Sequence, residues 1–535
     1  MSKGLRLEIL SIQFACFLAV LLAIYYAAGR FAPRRQWTVL LVGSLVFYVV
    51  AAGWGVLPYL LGCAGVTWAG ALGISSIDEK ARAERKAAKS RSDKKAIKAR
   101  STKRRRIVMW TTLVVCLLVL GYLKYWNVAL FQFGLAEGPQ SLGILLPLGI
   151  SFYTFSSLGY VLDVYNDRCA CERNFLRHLL FVSWFPQLIQ GPINRYDQTH
   201  DELLTPHKPD AHRTKRALLR LGYGLLKKFA IANVLAGSWT ALLDTATEAT
   251  HGPAIALGIL YYSLYMYGDF SGGIDMVEGV SELFGIEMAQ NFRQPYLSVS
   301  LADFWRRWHM SLGDWMKNHV FYPLAVSRPL RALNKRATCK LGKQVGRTIS
   351  ACVANVVVFL VVGLWHGAEW HFLAWGLYNG VIIALADLLA PVFDRITTRL
   401  HVDRAPRAWR AFTIVRTFAV VCIGRYFDAI VSVPRALMLL RNTFFDFTFA
   451  DFLAQLNMAG VPNIRELGFG FPAILACIFV FLVSIRYERG MDVREHVLAM
   501  PFYKRALIIS AGVIIFATSA RYISEGGMLF VYAFF

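Results

Sequence analysis

Long uncharged runs constrain this chain more than any other feature. Leu7–Ala28, Trp37–Trp54, Val56–Ser76, Ile107–Asn127, Ile349–Leu364 and Phe372–Ala390 each span about 16 to 22 residues, enough to cross a hydrocarbon core roughly 30 Å thick. Over the whole sequence 56% of residues are hydrophobic and only 17% charged, where a soluble domain carries about a quarter. The runs therefore predict an all-α integral membrane protein. The first one is followed by Arg30, Pro33, Arg34 and Arg35, not by a small-residue cleavage site, so Leu7–Ala28 reads as a span and not as a signal peptide.

The formal net charge is +24, and a large part lies in Asp78–Arg106, a stretch of about +10. Lys- and Arg-rich loops stay cytoplasmic, which is the plain reading of this one. The same charge would also attract anionic lipid headgroups or an acidic cytosolic acyl donor. Nucleic acid is a poor partner, because no soluble domain accompanies the basic run. Cys16, Cys63, Cys116, Cys352, Cys422 and Cys477 sit in apolar runs, where a thiol behaves as a small hydrophobe. Cys169 and Cys171 form a C-x-C without a second pair, short of a zinc site.

Basic segments at Arg30–Arg35, Lys80–Arg106, Lys208–Arg216, Arg328–Arg347, Arg395–Arg410 and Arg486–Arg505 are expected on the cytoplasmic side. Threading the apolar runs between them gives about twelve crossings with both termini outside. One region resists. Leu145–Leu162 and Phe175–Ile189 lie between an outside loop near Glu137 and a cytoplasmic loop after Arg195. Two full crossings would invert that loop, so one run should be re-entrant, and such backbone is tolerated only where protein or a water-filled cavity surrounds it. Gln290–Pro323 is too polar to cross lipid and too aromatic for a solvated loop, which suggests interfacial or dipping helices. No 20- to 50-residue repeat or duplicated half is visible.

An ionisable side chain in a span costs about 2.5–3.5 kcal/mol on insertion scales, which makes it a functional candidate. His366, in "VVGLWHGAEWHF", ends an uncharged run that starts at a cytoplasmic loop, so it should lie at mid-depth or beyond. His309 lies in "FWRRWHMSLG". Imidazole titrates near neutrality and suits acyl transfer, taking a hydroxyl proton and returning it to the leaving group. A lone histidine at a helix end also has a purely structural reading. His371 and Glu369 follow His366 without H-E-x-x-H spacing or a third ligand, so no metal is expected. Asp269 and Asp275, in "YGDFSGGID", would either pair with arginines and pin helices or line a substrate path. No G-x-S-x-G elbow, Walker A loop or dinucleotide turn is present.

Three blocks carry a resemblance. "LPLGISFYTFSSLGYVLDVYND" with "RNFLRHLLFVSWFPQLIQGPINRY", then "YGDFSGGIDMVEGVSELFGIEMAQNFRQPYLSVSLADFWRRWHMSLGDWMKNHVFYPL", then "GLWHGAEWHFLAWGLYNG" resemble the signature regions of the membrane-bound O-acyltransferases. The likeness is strongest to the bacterial group that O-acetylates alginate and other polymers. It is more distant to the member that transfers D-alanine to teichoic acid. The resemblance divides the chain into N-terminal helices (1–143, with the basic loop 78–106), a catalytic core (144–390) and C-terminal helices (391–535). It implies a funnel or tunnel with His366 as the catalytic histidine and His309 as the second. Trp305, Arg306, Arg307 and Trp308 complete the second motif, and these four with Trp365, Asp269 and Asp275 are the candidates for the substrate path. It further implies no bound cofactor, a thioester donor (acetyl coenzyme A or a carrier-protein ester), an esterase-like acyltransferase partner outside, and a bacterial cytoplasmic membrane. Gly273-Ile274 departs from a Tyr-Ser pair common in relatives. A transporter or a non-catalytic scaffold are the readings from other classes.

Overall fold

The computed structural model describes residues 11–135, 146–449, 451–458 and 471–519. The loop at Glu137, both termini and the aromatic C-terminal end "FVYAFF" lie outside the described residues. Among the described residues all regular elements are helical, apart from an isolated bridge between Phe292 and Trp308. Eight segments among them are long and apolar enough to cross a membrane: Ile12–Phe31, Pro33–Ala52, Trp54–Ala87, Arg91–Gln132, Thr348–His366, Trp370–Arg399, Phe471–Glu488 and Phe502–Ser519. The expected twelve exceeds this. The helices Gly252–Leu283 and Arg407–Ala429 are long enough, but are diluted by Asp269, Asp275, Arg416 and Arg425 among others.

The chain packs as two compact units, whose described residues fall within Met1–Leu218 and Val277–Ala289 for one, and within Leu219–Met276 and Gln290–Phe530 for the other. In the first unit the basic stretch is not a loop. The helices Leu57–Ala87 and Arg91–Gln132 run through it, broken only at residues 88–90, where the Ser90 hydroxyl accepts from the Ser92 amide. Ala, Lys, Arg and Glu are strong helix formers, and the Arg82–Asp78 and Arg100–Glu84 pairs lie along it. The basic run is therefore a helical hairpin.

The region that resists threading, Leu145–Leu162 with Phe175–Ile189, also lies in this unit from residue 146 onward. The helix Ile150–Tyr165 ends against that hairpin: Arg105 donates to the Tyr165 carbonyl and to Asp167. The next apolar run is broken at Trp184 into Phe175–Ser183 and Phe185–Gln190, nine and six residues, about 14 and 9 Å long. Neither reaches across a bilayer. The run leaves beside Glu172 and returns to it, since Tyr196 and His200 both bond the Glu172 carboxylate. Side-chain amides satisfy the interrupted backbone. Gln187 donates to the Phe181 carbonyl, Asn194 donates to Gln187, and the Asn194 oxygen accepts from the Ala289 amide.

In the second unit Arg328–His366 is two helical segments meeting at a kink at Gly342 (φ 87°), and the segment after the kink forms a tight antiparallel pair with Trp370–Arg399. A Cβ on Gly376 would sit 2.3 Å from the Phe359 carbonyl oxygen, and one on Gly363 would sit 2.4 Å from that of Phe372. Glycines allow the backbones to touch at the end that carries His366.

Candidate active site

His366 is the last residue of its helix and is buried. Its ring stacks on Phe372 (centroids 5.8 Å, 24°) and meets Trp375 edge-on at 5.1 Å. Trp375 meets Trp305 at 5.4 Å, and Trp305 is anchored by an indole N–H bond of 3.0 Å to the Asn379 side-chain oxygen. Nearby His371 plays a structural part, because its Nδ1–H donates to the Phe427 carbonyl at 2.9 Å. That bond ties the Trp370 helix to Arg407–Ala429.

His309 lies in the aromatic, irregular stretch, where the helices Leu301–Trp305 and Met310–Met316 are five and seven residues long. Its backbone is left-handed (φ 50°, ψ 52°), an uncommon state outside glycine. The ring is buried, edge-on to Phe270 at 4.8 Å, with Nδ1 3.1 Å from the Asn291 oxygen. Burial pushes this imidazole well below its ordinary range, so it is neutral at physiological pH. The two histidines meet over one indole. Trp365 lies 4.9 Å from the His366 ring and 5.7 Å from that of His309.

The other candidates divide. Trp305 and Trp365 belong to this aromatic group. Trp308 stacks on Phe304 and receives the Arg425 guanidinium 4.9 Å over its ring. Arg307 is held by Asp303 (3.1 Å) and Glu488 (2.8 Å), and Glu488 also binds Arg410, so this arginine fastens the motif to neighbouring helices. Arg306 is exposed, within 3.7 Å of Asp303. Asp269 pairs with Lys228, and Asp275 with Lys227 and Arg220. These pairs join the π-helical turn Lys227–Asn233 to the helix Gly252–Leu283.

Sequence reasoning passed over Lys227, Lys228 and Arg425, although each is a cation inside an apolar stretch and could have been found on that ground. Asn291 and Asn379 are uncharged, and nothing in the sequence marks them apart from other asparagines.

The membrane-bound O-acyltransferase family model matches residues 172–338, which include His309 and stop short of His366. The chain is 33% identical over 429 residues to a probable alginate O-acetylase (AlgI) of Pseudomonas aeruginosa, covering 76% of this chain and 69% of that protein. The chain belongs to the membrane-bound O-acyltransferase family. A peptidoglycan O-acetyltransferase of Helicobacter pylori is 30% identical over 52% of this chain and 55% of its own length. A teichoic acid D-alanyltransferase of Bacillus subtilis is 28% identical over 52% of this chain and 67% of its own. As a family member the protein is a multi-pass membrane acyltransferase.

Proposed function

We propose that this acyltransferase works in the bacterial cytoplasmic membrane, taking an acetyl group from a cytosolic thioester for O-acetylation of an extracytoplasmic polysaccharide or wall polymer. The observation that carries the reading is the meeting of two buried imidazoles over Trp365. Alginate- and peptidoglycan-acetylating relatives favour acetyl, and D-alanyl transfer from a carrier protein is the alternative that the teichoic acid relative supports.

In this reading His366 takes the proton of an acceptor hydroxyl as its oxygen attacks the thioester carbonyl. The carbon–sulfur bond then breaks, and the thiolate receives the proton from the imidazolium. A positioned base of this kind is worth about 10²- to 10⁴-fold in rate. His309 positions a substrate, and the tryptophans keep water from the thioester. Donor and acceptor reach the histidines through a funnel formed by about twelve crossings. The thioester is acetyl coenzyme A or a carrier-protein ester, and is a substrate, not a resident cofactor. An esterase-like acyltransferase on the outer side passes the group to the polymer. The basic hairpin meets anionic lipid or an acidic carrier.

Cell-surface ester content in cells carrying His366→Ala, with membrane levels checked by immunoblot, tests this directly. Esters should vanish while the protein persists. Normal ester content would move the protein to a scaffold role, and impaired flux of an intact solute would indicate a transporter.

A further inference from the structure

Asn291 is fully buried, and its side chain and backbone together grip three consecutive residues. Around the bridge at Phe292 and Trp308, two chain segments run antiparallel. The Arg293 amide donates to the Arg307 carbonyl and the Met310 amide to the Asn291 carbonyl, both at 3.0 Å. This pairing turns His309 back over Asn291 with its left-handed backbone. The Asn291 oxygen then accepts from the Ser311 amide (3.1 Å) and the Ser311 hydroxyl (2.9 Å), with His309 Nδ1 at 3.1 Å.

The protonation of the ring follows from these partners. A backbone amide only donates, so the Asn291 atom facing Ser311 N must be the oxygen and not the nitrogen of the carboxamide. An amide oxygen only accepts, so the His309 nitrogen 3.1 Å away must carry a hydrogen. A neutral imidazole has one such hydrogen. Phe270, Trp365 and Asn291, which are among the groups around the ring, are uncharged, and burial itself disfavours a second.

We infer that Asn291 is a positioning residue that fixes His309 as the Nδ1–H tautomer and presents Nε2 as a proton acceptor. The inference rests on the reading of His309 as part of the acyl-transfer site, and it narrows what His309 does. A neutral ring with its hydrogen committed to Asn291 accepts a hydrogen bond from a hydroxyl or from a protonated partner. It does not donate to an oxyanion. His309 therefore orients the nucleophile side of the reaction.

The direct test is magic-angle-spinning NMR of the full-length wild-type protein in lipid, with isotope-labelled histidine. The chain has 11 histidines, and the His309 signals are assigned by difference against His309→Gln. A ring protonated at Nδ1 alone is expected; a ring protonated at Nε2, or at both nitrogens, overturns the inference. Kinetics of the purified protein supply the functional arm. Asn291→Leu removes the acceptor oxygen and should lower kcat about 10²-fold or more with KM little changed. Asn291→Asp keeps the acceptor and adds a charge that favours the imidazolium, so the acid limb of its rate profile should move to higher pH. If both variants lose activity only in step with thermal stability, Asn291 is merely structural. If His309→Ala retains full activity, the functional reading of His309 fails, whatever tautomer the spectra show.

Discussion

At the scale of single residues, the second unit combines a buried histidine site with strongly paired buried charges. The Lys228 and Asp269 side chains are 2% and 1% exposed. Desolvating two such ions costs several kcal/mol each, and their mutual contact helps to offset it. This geometry favours the helix-pinning reading of Asp269 over a place on the substrate path. Lys228→Ala should then destabilise the protein by about 3–5 kcal/mol, because it removes the cation that faces the buried Asp269 carboxylate. The double variant Lys228→Met with Asp269→Leu, which removes both charges, should recover much of that loss. Thermal and denaturant unfolding of the purified protein measure both. A Lys228→Ala protein as stable as the parent but inactive would instead return Asp269 to the substrate path.

At the scale of elements, the position of His366 depends on how closely two helices approach. Gly376 and Gly380 lie four residues apart on the Trp370 helix, facing Phe359 and Val356 of the partner helix. Gly376→Ala would drive a Cβ into the Phe359 carbonyl oxygen, so the helices must separate or bend. The expected cost is about 1–3 kcal/mol in stability, together with a fall in kcat from displacement of His366 and Trp375. A Gly62→Ala control, where a Cβ meets open space, should change neither. The same pair shows what is legible in sequence. Length and apolarity expose Thr348–His366 and Trp370–Arg399 as spans, because those properties are local. The "WHG" and "WRRWH" segments can be linked as one site only through resemblance, since a contact across more than fifty residues leaves no mark in local pattern. The basic stretch reads as a loop when charge density is equated with disorder, whereas its residue types favour helix. Asn291 carries no signal, because its role lies wholly in three hydrogen bonds that folding creates.

At the scale of the whole molecule, the side of the membrane each segment faces follows from charge and from the broken run at Trp184. Arg105 bonds Tyr165 and Asp167, while Tyr196 and His200 bond Glu172, so residues 165–174 and 195–200 share the face of the basic hairpin. The positive-inside rule predicts that this face is cytoplasmic, and it predicts the same compartment for the basic residues that precede Thr348–His366. Cys339 is exposed among those residues and serves as a native reporter. Lys208, also exposed, follows the broken run and reports whether that run dips or crosses. In a background lacking the other cysteines, a membrane-impermeant maleimide should label Cys339 in inverted vesicles and not in intact spheroplasts. Lys208→Cys, with Cys339 also removed, should behave identically. Labelling of Lys208→Cys from the outside would mean that residues 175–190 cross the bilayer after all. Nine- and six-residue helices would then have to span what a continuous helix of about twenty residues normally spans. That shortfall in length is what makes the dip the expected result.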